Sequence, residues 1–330
     1  MAFGVGLERP DFDLDNLRRR RETALATPLE VGSLLSPFSP SLLLDALTPG
    51  EQSNASPSPA PYRPANLELV NLFKTRSGWR SLSIRLIQPL SVEVRGWAQV
   101  YVADVEDKGR VVARIVLKLL VEAFFWDPDW VMPWIPAEES MSAELQAYAT
   151  PRPVQGQDVP HCYGAYQFTM PWGETVPGIL LEDLTTTTTS SWRFMQDRRD
   201  ELTVQSIDSF MCAAHVLLHR LQQLGVADFA INALDLLLVN PPSLQHPCFI
   251  LVDFGLAVNA QQYRAKHDRY IQENNCIWRP WQSHADYKLQ GELQDACGEV
   301  VEEWVAFERK QRRGYFADPG WYDAHGDEDE

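Results

Sequence analysis

Two charged residues near the ends of apolar runs could together handle a phosphate group. Asp253 directly follows the apolar run 248–252, and Lys118 lies near the end of the run 111–120. Transfer of a phosphoryl group needs a cation against the phosphates, a carboxylate that holds magnesium, and a base that orients the acceptor hydroxyl. Lys118 and Asp253 are the residue types for the first two tasks. The base must then be sought in the chain between them.

A glutamate on the helix predicted over 137–149 offers a partner for the lysine. Glu144 would form an ion pair that aims Lys118 at a phosphate. Taken singly, Lys118 also fits a side chain whose ammonium group reaches solvent from a strand end, and Glu144 fits an exposed helix position. The order of Lys118, Glu144 and Asp253 along the chain favours a single constellation over three unrelated residues.

These residues resemble landmarks of the protein-kinase-like superfamily. Ile115-Val116-Leu117-Lys118 is similar to the Val-Ala-Ile-Lys element of protein kinases, and Asp253-Phe254-Gly255 is similar to their magnesium-binding Asp-Phe-Gly. The segment 180–184 resembles the hinge between kinase lobes, where adenine would bind. The resemblance covers roughly residues 80–320, particularly to divergent kinase-like proteins of fungi. It implies ATP and Mg²⁺ as cofactors, with nucleotide-binding residues Lys118, Glu144, Glu182 and Asp253, and metal ligands Asp235 and Asp253.

The loop that would carry the catalytic base departs from the family pattern, which is His-x-Asp with Asn five residues after the Asp. Aligned without gaps, Asp228 takes the histidine position, Ala230 takes that of the catalytic aspartate, and Asp235 replaces the asparagine. Asp235 could still bind a hard cation through oxygen, whereas alanine cannot accept a proton. A second register makes Asp228 the catalytic aspartate but needs about two inserted residues before the run 236–239.

The phosphate-binding loop is reduced as well. Kinases place several glycines between their first two strands, so that backbone N–H groups can approach phosphate. The corresponding stretch 89–98 holds one glycine, Gly96, with the acidic Glu93 close by. The sequence therefore predicts weaker phosphate contacts than an active kinase makes.

Three functions are compatible with this pattern. The first is a nucleotide-binding pseudokinase with weak or no phosphotransfer, since Lys118 and Asp253 are present while Ala230 replaces the base. An alternative is an active, divergent phosphotransferase that uses Asp228 on a protein Ser/Thr or a small-molecule hydroxyl. A further alternative is a scaffold that binds no nucleotide and contacts protein partners through its N-terminal extension.

The patterning predicts an α+β protein with a small β-rich lobe followed by a larger helical lobe, and the resemblance implies a two-lobed, protein-kinase-like fold. Residues 1–75 are predicted to form a Ser/Pro-rich, largely disordered extension, because Ser and Pro are frequent over 33–64. A small β-rich N-lobe is predicted over 76–184, where apolar residues alternate with polar ones. A larger helical C-lobe follows over 185–322, and an acidic tail over 323–330.

Composition limits the classes of partner and the cellular compartments that we expect for this protein. The formal net charge of −16 disfavours nucleic-acid binding, which needs clustered positive charge. Five cysteines without a CxxC pair indicate reduced thiols in an intracellular protein, cytoplasmic or nuclear. The N-terminus lacks a signal-peptide core, and no apolar run reaches the length of a membrane span. Composition therefore disfavours nucleic-acid and membrane partners, and a nucleotide is the small ligand that the resemblance implies.

Overall fold

The computed structural model describes most of the chain between residues 13 and 259, together with part of a helix near residue 300. The described residues are 13–42, 58–74, 81–92, 96–125, 135–228, 234–240, 242–255, 257–259, 295, 297, 298, 300–304 and 306. Ala230, the acidic tail and most of the segment 289–313 lie outside them. None of the helices within these ranges is both long and apolar enough to cross a membrane.

A seven-stranded antiparallel sheet dominates the first half of the protein. Its strand order is β1-β3-β4-β5-β7-β6-β2, and it curls so that β2 at one edge also contacts β3 near the other. The strands are β1 Leu34–Leu35, β2 Pro37–Leu42, β3 Leu82–Ser91, β4 Gln99–Asp107, β5 Arg110–Leu119, β6 Cys162–Thr169 and β7 Thr175–Glu182. With the helices described below, this confirms the α+β class.

Local sequence explains the central hairpin of the sheet. Leu82, Ile84 and Leu86 on β3 alternate with more exposed residues and are buried, as the period of two predicts. Between β4 and β5 the chain reverses through Lys108 and Gly109, both with positive φ. A two-residue loop of this geometry suits the right-handed twist of paired strands, and it fixes the register of β5.

Five α-helices and two smaller sheets accompany this sheet, besides short 3-10 turns and the part of a helix near residue 300. The helices are α1 Leu14–Ala26, α2 Leu67–Lys74, α3 Ala137–Ala149, α4 Ser191–Asp197 and α5 Val204–Gln223. The additional strands are β8 Thr188–Ser190, β9 Val226–Asp228, β10 Leu236–Val239, β11 Phe249–Leu251 and β12 Ala257–Asn259. α3 and α5 match the helical patterns in the sequence. The polar stretch 185–191 contains β8, which pairs with β10.

Two hydrophobic cores lie on opposite faces of the sheet. Along β7, Leu180 belongs to the core that α2 covers, whereas Ile179 and Leu181 belong to the core shared with α3 and α5. Successive strand residues point to opposite faces, so β7 contributes to both cores. α3 therefore lies on the sheet face toward α5 and the β10–β11 hairpin.

The N-terminal segments differ from the largely disordered extension predicted over 1–75. Residues 13–42 and 58–74 supply α1, α2 and both edge strands, with β1 paired to β3 and β2 paired to β6. Leu35, Leu69 and Phe73 are buried in the sheet core. The Ser/Pro content of the region as a whole favoured disorder, although the region also contains these apolar residues, which the fold buries. Part of the Ser/Pro-rich stretch, 43–57, lies outside the described residues.

Candidate functional site

Lys118, Glu144 and Asp253 meet in one charged cluster, although 135 residues separate the first from the last. Lys118 Nζ lies 2.9 Å from Glu144 Oε1, 2.8 Å from Glu144 Oε2 and 2.6 Å from Asp253 Oδ1. The Lys118 and Glu144 side chains are 6% and 0% exposed, whereas Asp253 is 52% exposed. The cluster is thus closed on the helix side and open to solvent at Asp253. We call these three residues the Lys118 cluster.

The strand period places Lys118 on the α3 side of the sheet. Ile115, Leu117 and Leu119 on β5 point into the opposite core, while Val116 packs against the core that includes α3. Lys118 shares the face of Val116 because successive side chains alternate along a strand. A lysine in an otherwise apolar run therefore emerges directly opposite the helix that carries Glu144.

Glu144 and Tyr148 lie one above the other on the same face of α3, since residues four apart in a helix are neighbours. Both are fully buried. Tyr148 contacts the Phe254 ring edge to face, with centroids 4.9 Å apart and an interplanar angle of 86°. One helix face thus holds the lysine through Glu144 and the segment after β11 through Tyr148.

Asp253 adopts a backbone conformation that few residues other than glycine adopt. Its φ is 64°, in the left-handed region, where Asp and Asn are the best tolerated non-glycine residues. The Gly255 N–H donates to Asp253 Oδ1 at 3.0 Å, which helps fix the carboxylate. A Cβ on Gly255 would lie 3.2 Å from that oxygen, so glycine is favoured beside it. Local strain of this kind is typical of functional sites.

Asp235 lies at the same end of the β10–β11 hairpin as Asp253. Leu236 pairs with Leu251, and the Val252 N–H donates to the Asp235 carbonyl at 2.9 Å. Antiparallel pairing therefore brings a residue just before β10 beside a residue just after β11. The cation site expected from the Asp235 and Asp253 carboxylates stays a prediction. Within the described residues, no group of three or more His, Cys, Asp or Glu side chains could hold a metal on its own.

Burial and charge act in opposite directions on the two buried members of the cluster. Burial works against the charge of Lys118, but Asp253 and Glu144 more than offset it and raise the pKa of the lysine. Burial raises the pKa of Glu144, against the opposing effect of Lys118. The lysine therefore stays protonated at neutral pH. With both carboxylates ionised, two negative charges face one positive charge.

Glu182, expected near the adenine, is bound by the N-terminal part of the chain. Arg63 Nε donates to Glu182 Oε1 at 2.7 Å, and the His161 N–H donates to Glu182 Oε2 at 3.1 Å. Its side chain is therefore already paired within the protein. The backbone here is paired as well, since the Glu182 N–H donates to the His161 carbonyl at 2.8 Å and the Leu184 carbonyl accepts from the Thr188 N–H at 2.9 Å.

The catalytic loop is described only at its ends. Asp228 ends β9, and its backbone pairs with Ala257, four residues after Asp253. Its side chain and Ala230 lie outside the described residues, so both registers of the loop stay predictions. Likewise, part of the reduced glycine loop, 93–95, lies outside them.

Sequence reasoning missed two features of this region. Tyr148 could have been found, because it lies four residues after Glu144 on the same predicted helix. A buried ion pair between Asp158 and Arg220 had no comparable signal, since 62 residues separate its members. It lies at a distinct place, where α5 meets the turn before β6.

No family model matches the chain, and no curated protein matches its sequence.

Proposed function

We propose that this protein is a divergent protein-kinase-like protein that binds ATP with Mg²⁺ and has weak or no phosphotransferase activity. The observation that carries the proposal is the Lys118 cluster, in which a strand lysine, a helix glutamate and the aspartate of Asp-Phe-Gly lie within hydrogen-bond distance. The antiparallel sheet supports the proposed N-lobe, and α5 with the β10–β11 hairpin supports the proposed C-lobe.

The donor set fits a magnesium nucleotide. Lys118 offers an ammonium group for phosphate oxygens, held in place by Glu144 from behind. Asp253 offers a half-exposed carboxylate, and Asp235 follows it at the same hairpin end. Carboxylate oxygens are the ligands that Mg²⁺ prefers, and the ion is usually held by one or two carboxylates plus substrate phosphates. Bound there, the metal would neutralise charge on the phosphates.

Charge balance also favours a bound cation. The Lys118 cluster has one ammonium and two carboxylates, and the open side of the cluster is formed by Asp253. A divalent cation beside Asp253 would relieve the repulsion between the carboxylates. Lys118 could then contact a phosphate instead of Asp253 while keeping its ion pair with Glu144.

Weak or absent turnover follows from the catalytic loop. In the gap-free register Ala230 occupies the position of the base, and alanine can neither accept a proton nor orient a hydroxyl. Nucleotide binding does not require that base, because phosphates and metal are held by other residues. Binding without efficient transfer is therefore the expected combination.

The test is a thermal-melt titration with ATP, with and without Mg²⁺, on wild-type and Asp253→Asn protein. Asparagine tolerates the left-handed backbone at this position, so the variant removes charge without new strain. At about one hundred times the dissociation constant, a ligand adds roughly 2.7 kcal/mol of stability. We expect a magnesium-dependent shift in the wild type and none in the variant. No shift at millimolar ATP would reject nucleotide binding and leave a scaffold.

Turnover measured on the same samples decides between the pseudokinase and the active enzyme. We expect little or no ADP release from wild-type protein saturated with ATP and Mg²⁺. Robust release that disappears in Asp228→Asn, with nucleotide affinity unchanged, would instead establish Asp228 as the base.

A further inference from the structure

A short N-terminal segment, residues 58–66, lies along the turn before β6 and the β10–β11 region; we call it the strap. The Arg63 N–H donates to the Gly156 carbonyl at 2.7 Å, and the Arg63 side chain is paired with Glu182. Nearer its start, the Cys248 thiol donates to the Pro59 carbonyl at 3.7 Å. The strap is therefore held at several points by polar contacts.

At the first of these points, the hydroxyl of Ser58 donates to Asp158 Oδ1 at 2.5 Å. Asp158 is also paired with Arg220, whose Nη1 lies 3.0 Å from Oδ1 and 2.8 Å from Oδ2. The Asp158 and Arg220 side chains are 2% and 5% exposed. One carboxylate thus meets one guanidinium in a buried place, with the neutral serine hydroxyl as the only strap group hydrogen-bonded to the carboxylate in the described structure.

Ser58 also stands in a sequence that protein kinases can use. It directly precedes Pro59, and the residue before a proline is restricted to extended conformations. Ser-Pro is the minimal recognition sequence of proline-directed protein kinases. Ser58 is only partly buried, and Tyr62 on the same strap is 62% exposed. A segment of this kind can open locally and present its serine.

We infer that Ser58 is a phosphorylation site and that its phosphorylation releases the strap. A separate proline-directed kinase would supply ATP, and Ser58 Oγ would attack the γ-phosphorus. The bond from that phosphorus to the bridging oxygen breaks, ADP leaves, and the hydroxyl proton passes to the base of that kinase. The product is a phosphoserine with a charge of about −1.5 to −2.

Electrostatic repulsion disfavours the return of the phosphorylated strap to its place. Its phosphate would lie against the buried Asp158 carboxylate, where Arg220 supplies one positive charge against roughly three negative charges. Arg63, the other cation that acts on Asp158, is already paired with Glu182. The hydroxyl oxygen is 2.5 Å from Asp158 Oδ1, so phosphate oxygens carried on it would lie close to that carboxylate. Modification of the open state therefore traps it, since the charged product disfavours closure.

Release of the strap has a direct chemical readout. The half-buried thiol of Cys248 is hydrogen-bonded to the Pro59 carbonyl, so alkylation of Cys248 should become faster when the strap leaves. Cys212 is already exposed with the strap in place, so its rate should change far less than that of Cys248, and Cys162 is buried and reports global unfolding. Alkylation of a Ser58→Glu variant requires no nucleotide, so that arm of the readout is independent of the proposed function.

The experiment treats the full chain with a proline-directed Ser/Thr kinase and ATP, and maps phosphate and iodoacetamide alkylation by peptide mass spectrometry. We expect phosphate on Ser58 and a rise of about tenfold or more in the Cys248 alkylation rate, as placing like charges together costs several kcal/mol. Ser58→Glu should raise the rate in the same direction. Ser58→Ala treated with the kinase should not, and neither should Ser36→Glu, which alters an exposed Ser-Pro serine elsewhere.

Three outcomes would overturn the inference. The first is absence of phosphate on Ser58 under conditions in which the kinase modifies a Ser58-containing peptide. The second is a stoichiometrically phosphorylated protein with an unchanged Cys248 rate. The third is an equal rise in Ser58→Ala and Ser58→Glu, which would show that loss of the hydrogen bond, and not the added charge, frees the strap.

Discussion

The Lys118 cluster and the Asp158–Arg220 pair are both charged groups in the protein interior, but they are built differently. Asp158 and Arg220 match one negative charge with one positive charge, and both side chains are almost completely shielded from solvent. The Lys118 cluster has two carboxylates for one ammonium, and Asp253 is half exposed on a left-handed backbone. One site is balanced and closed, whereas the other is unbalanced and open.

This difference is the one expected between a structural tie, an ion pair that only stabilises the fold, and the proposed binding site. A closed, balanced pair has nothing left for a ligand to neutralise, and removing one member leaves a buried charge alone. An open, acidic cluster gains when a cation arrives, and its exposed member can change partners. We therefore expect Asp158–Arg220 to contribute mainly to stability and the Lys118 cluster to carry the proposed ligand binding.

Removing Arg220 should give the largest loss of stability. In Arg220→Met, Asp158 remains buried without its partner, and breaking a buried pair in this way costs about 3 to 5 kcal/mol. Urea denaturation measures the free energy of unfolding. Magnesium-dependent ATP binding should survive in the variant at a temperature where it is folded. A loss of less than about 1 kcal/mol would show that the pair is not a structural tie.

The second tie, between Arg63 and Glu182, should give a smaller effect. Arg63→Ala removes a partly buried ion pair and its hydrogen bonds, for which we expect a loss of about 2 kcal/mol, again from urea denaturation. The matched control is Arg18→Ala, an exposed arginine on α1 with only a surface pair to Asp15. Equal free energies of unfolding for Arg63→Ala and Arg18→Ala would contradict the claim that the Arg63–Glu182 pair holds the strap in place.

The pKa of Glu144 predicts a pH dependence at the Lys118 cluster. Because burial raises this pKa above 4.5, the stability that the carboxyl group contributes is fully present below pH 4.5 and is lost as pH rises through the folded-state pKa. Relative to Glu144→Gln, the wild type should therefore lose stability with rising pH, at most about 1.4 kcal/mol per pH unit. Thermal melts from pH 4.5 upward measure the difference. If the stability of the wild type relative to Glu144→Gln instead rose with pH, the predicted direction would be contradicted.

The smallest effect is expected for Asp253→Asn in the absence of ligand. The substitution removes a half-exposed charge from an acidic cluster and keeps a residue that suits positive φ. Its free energy of unfolding should stay within about 0.5 kcal/mol of the wild type. A loss as large as that of Arg220→Met would make the Lys118 cluster a structural tie as well.

Residue order and periodicity in the sequence predicted much of the candidate site. The apolar runs located β5 and β11, and the helical period located α3, so Lys118, Glu144 and Asp253 could be named before the fold was known. Their contacts follow from strand alternation and from one helix face. The ion pair of Asp158 and Arg220 could not be predicted in this way, because both residues belong to segments whose packing only the folded chain defines.

The N-terminal region was predicted least well for a related reason. Its edge strands are short, and β2 contains Pro37 and Pro40, which disfavour a strand by local rules. Pairing with β6 and burial of Leu35 stabilise the region through distant contacts. Composition therefore described the local preference of this segment correctly and its tertiary structure poorly.

The most direct test of the central claim is isothermal titration calorimetry of ATP binding, with and without Mg²⁺, on wild-type, Asp253→Asn and Arg220→Met protein. We predict saturable binding that requires Mg²⁺, is retained in folded Arg220→Met and is lost in Asp253→Asn. Absence of binding heat in the wild type at millimolar ATP, or equal binding in Asp253→Asn, would contradict the assignment of the Lys118 cluster as a magnesium–nucleotide site.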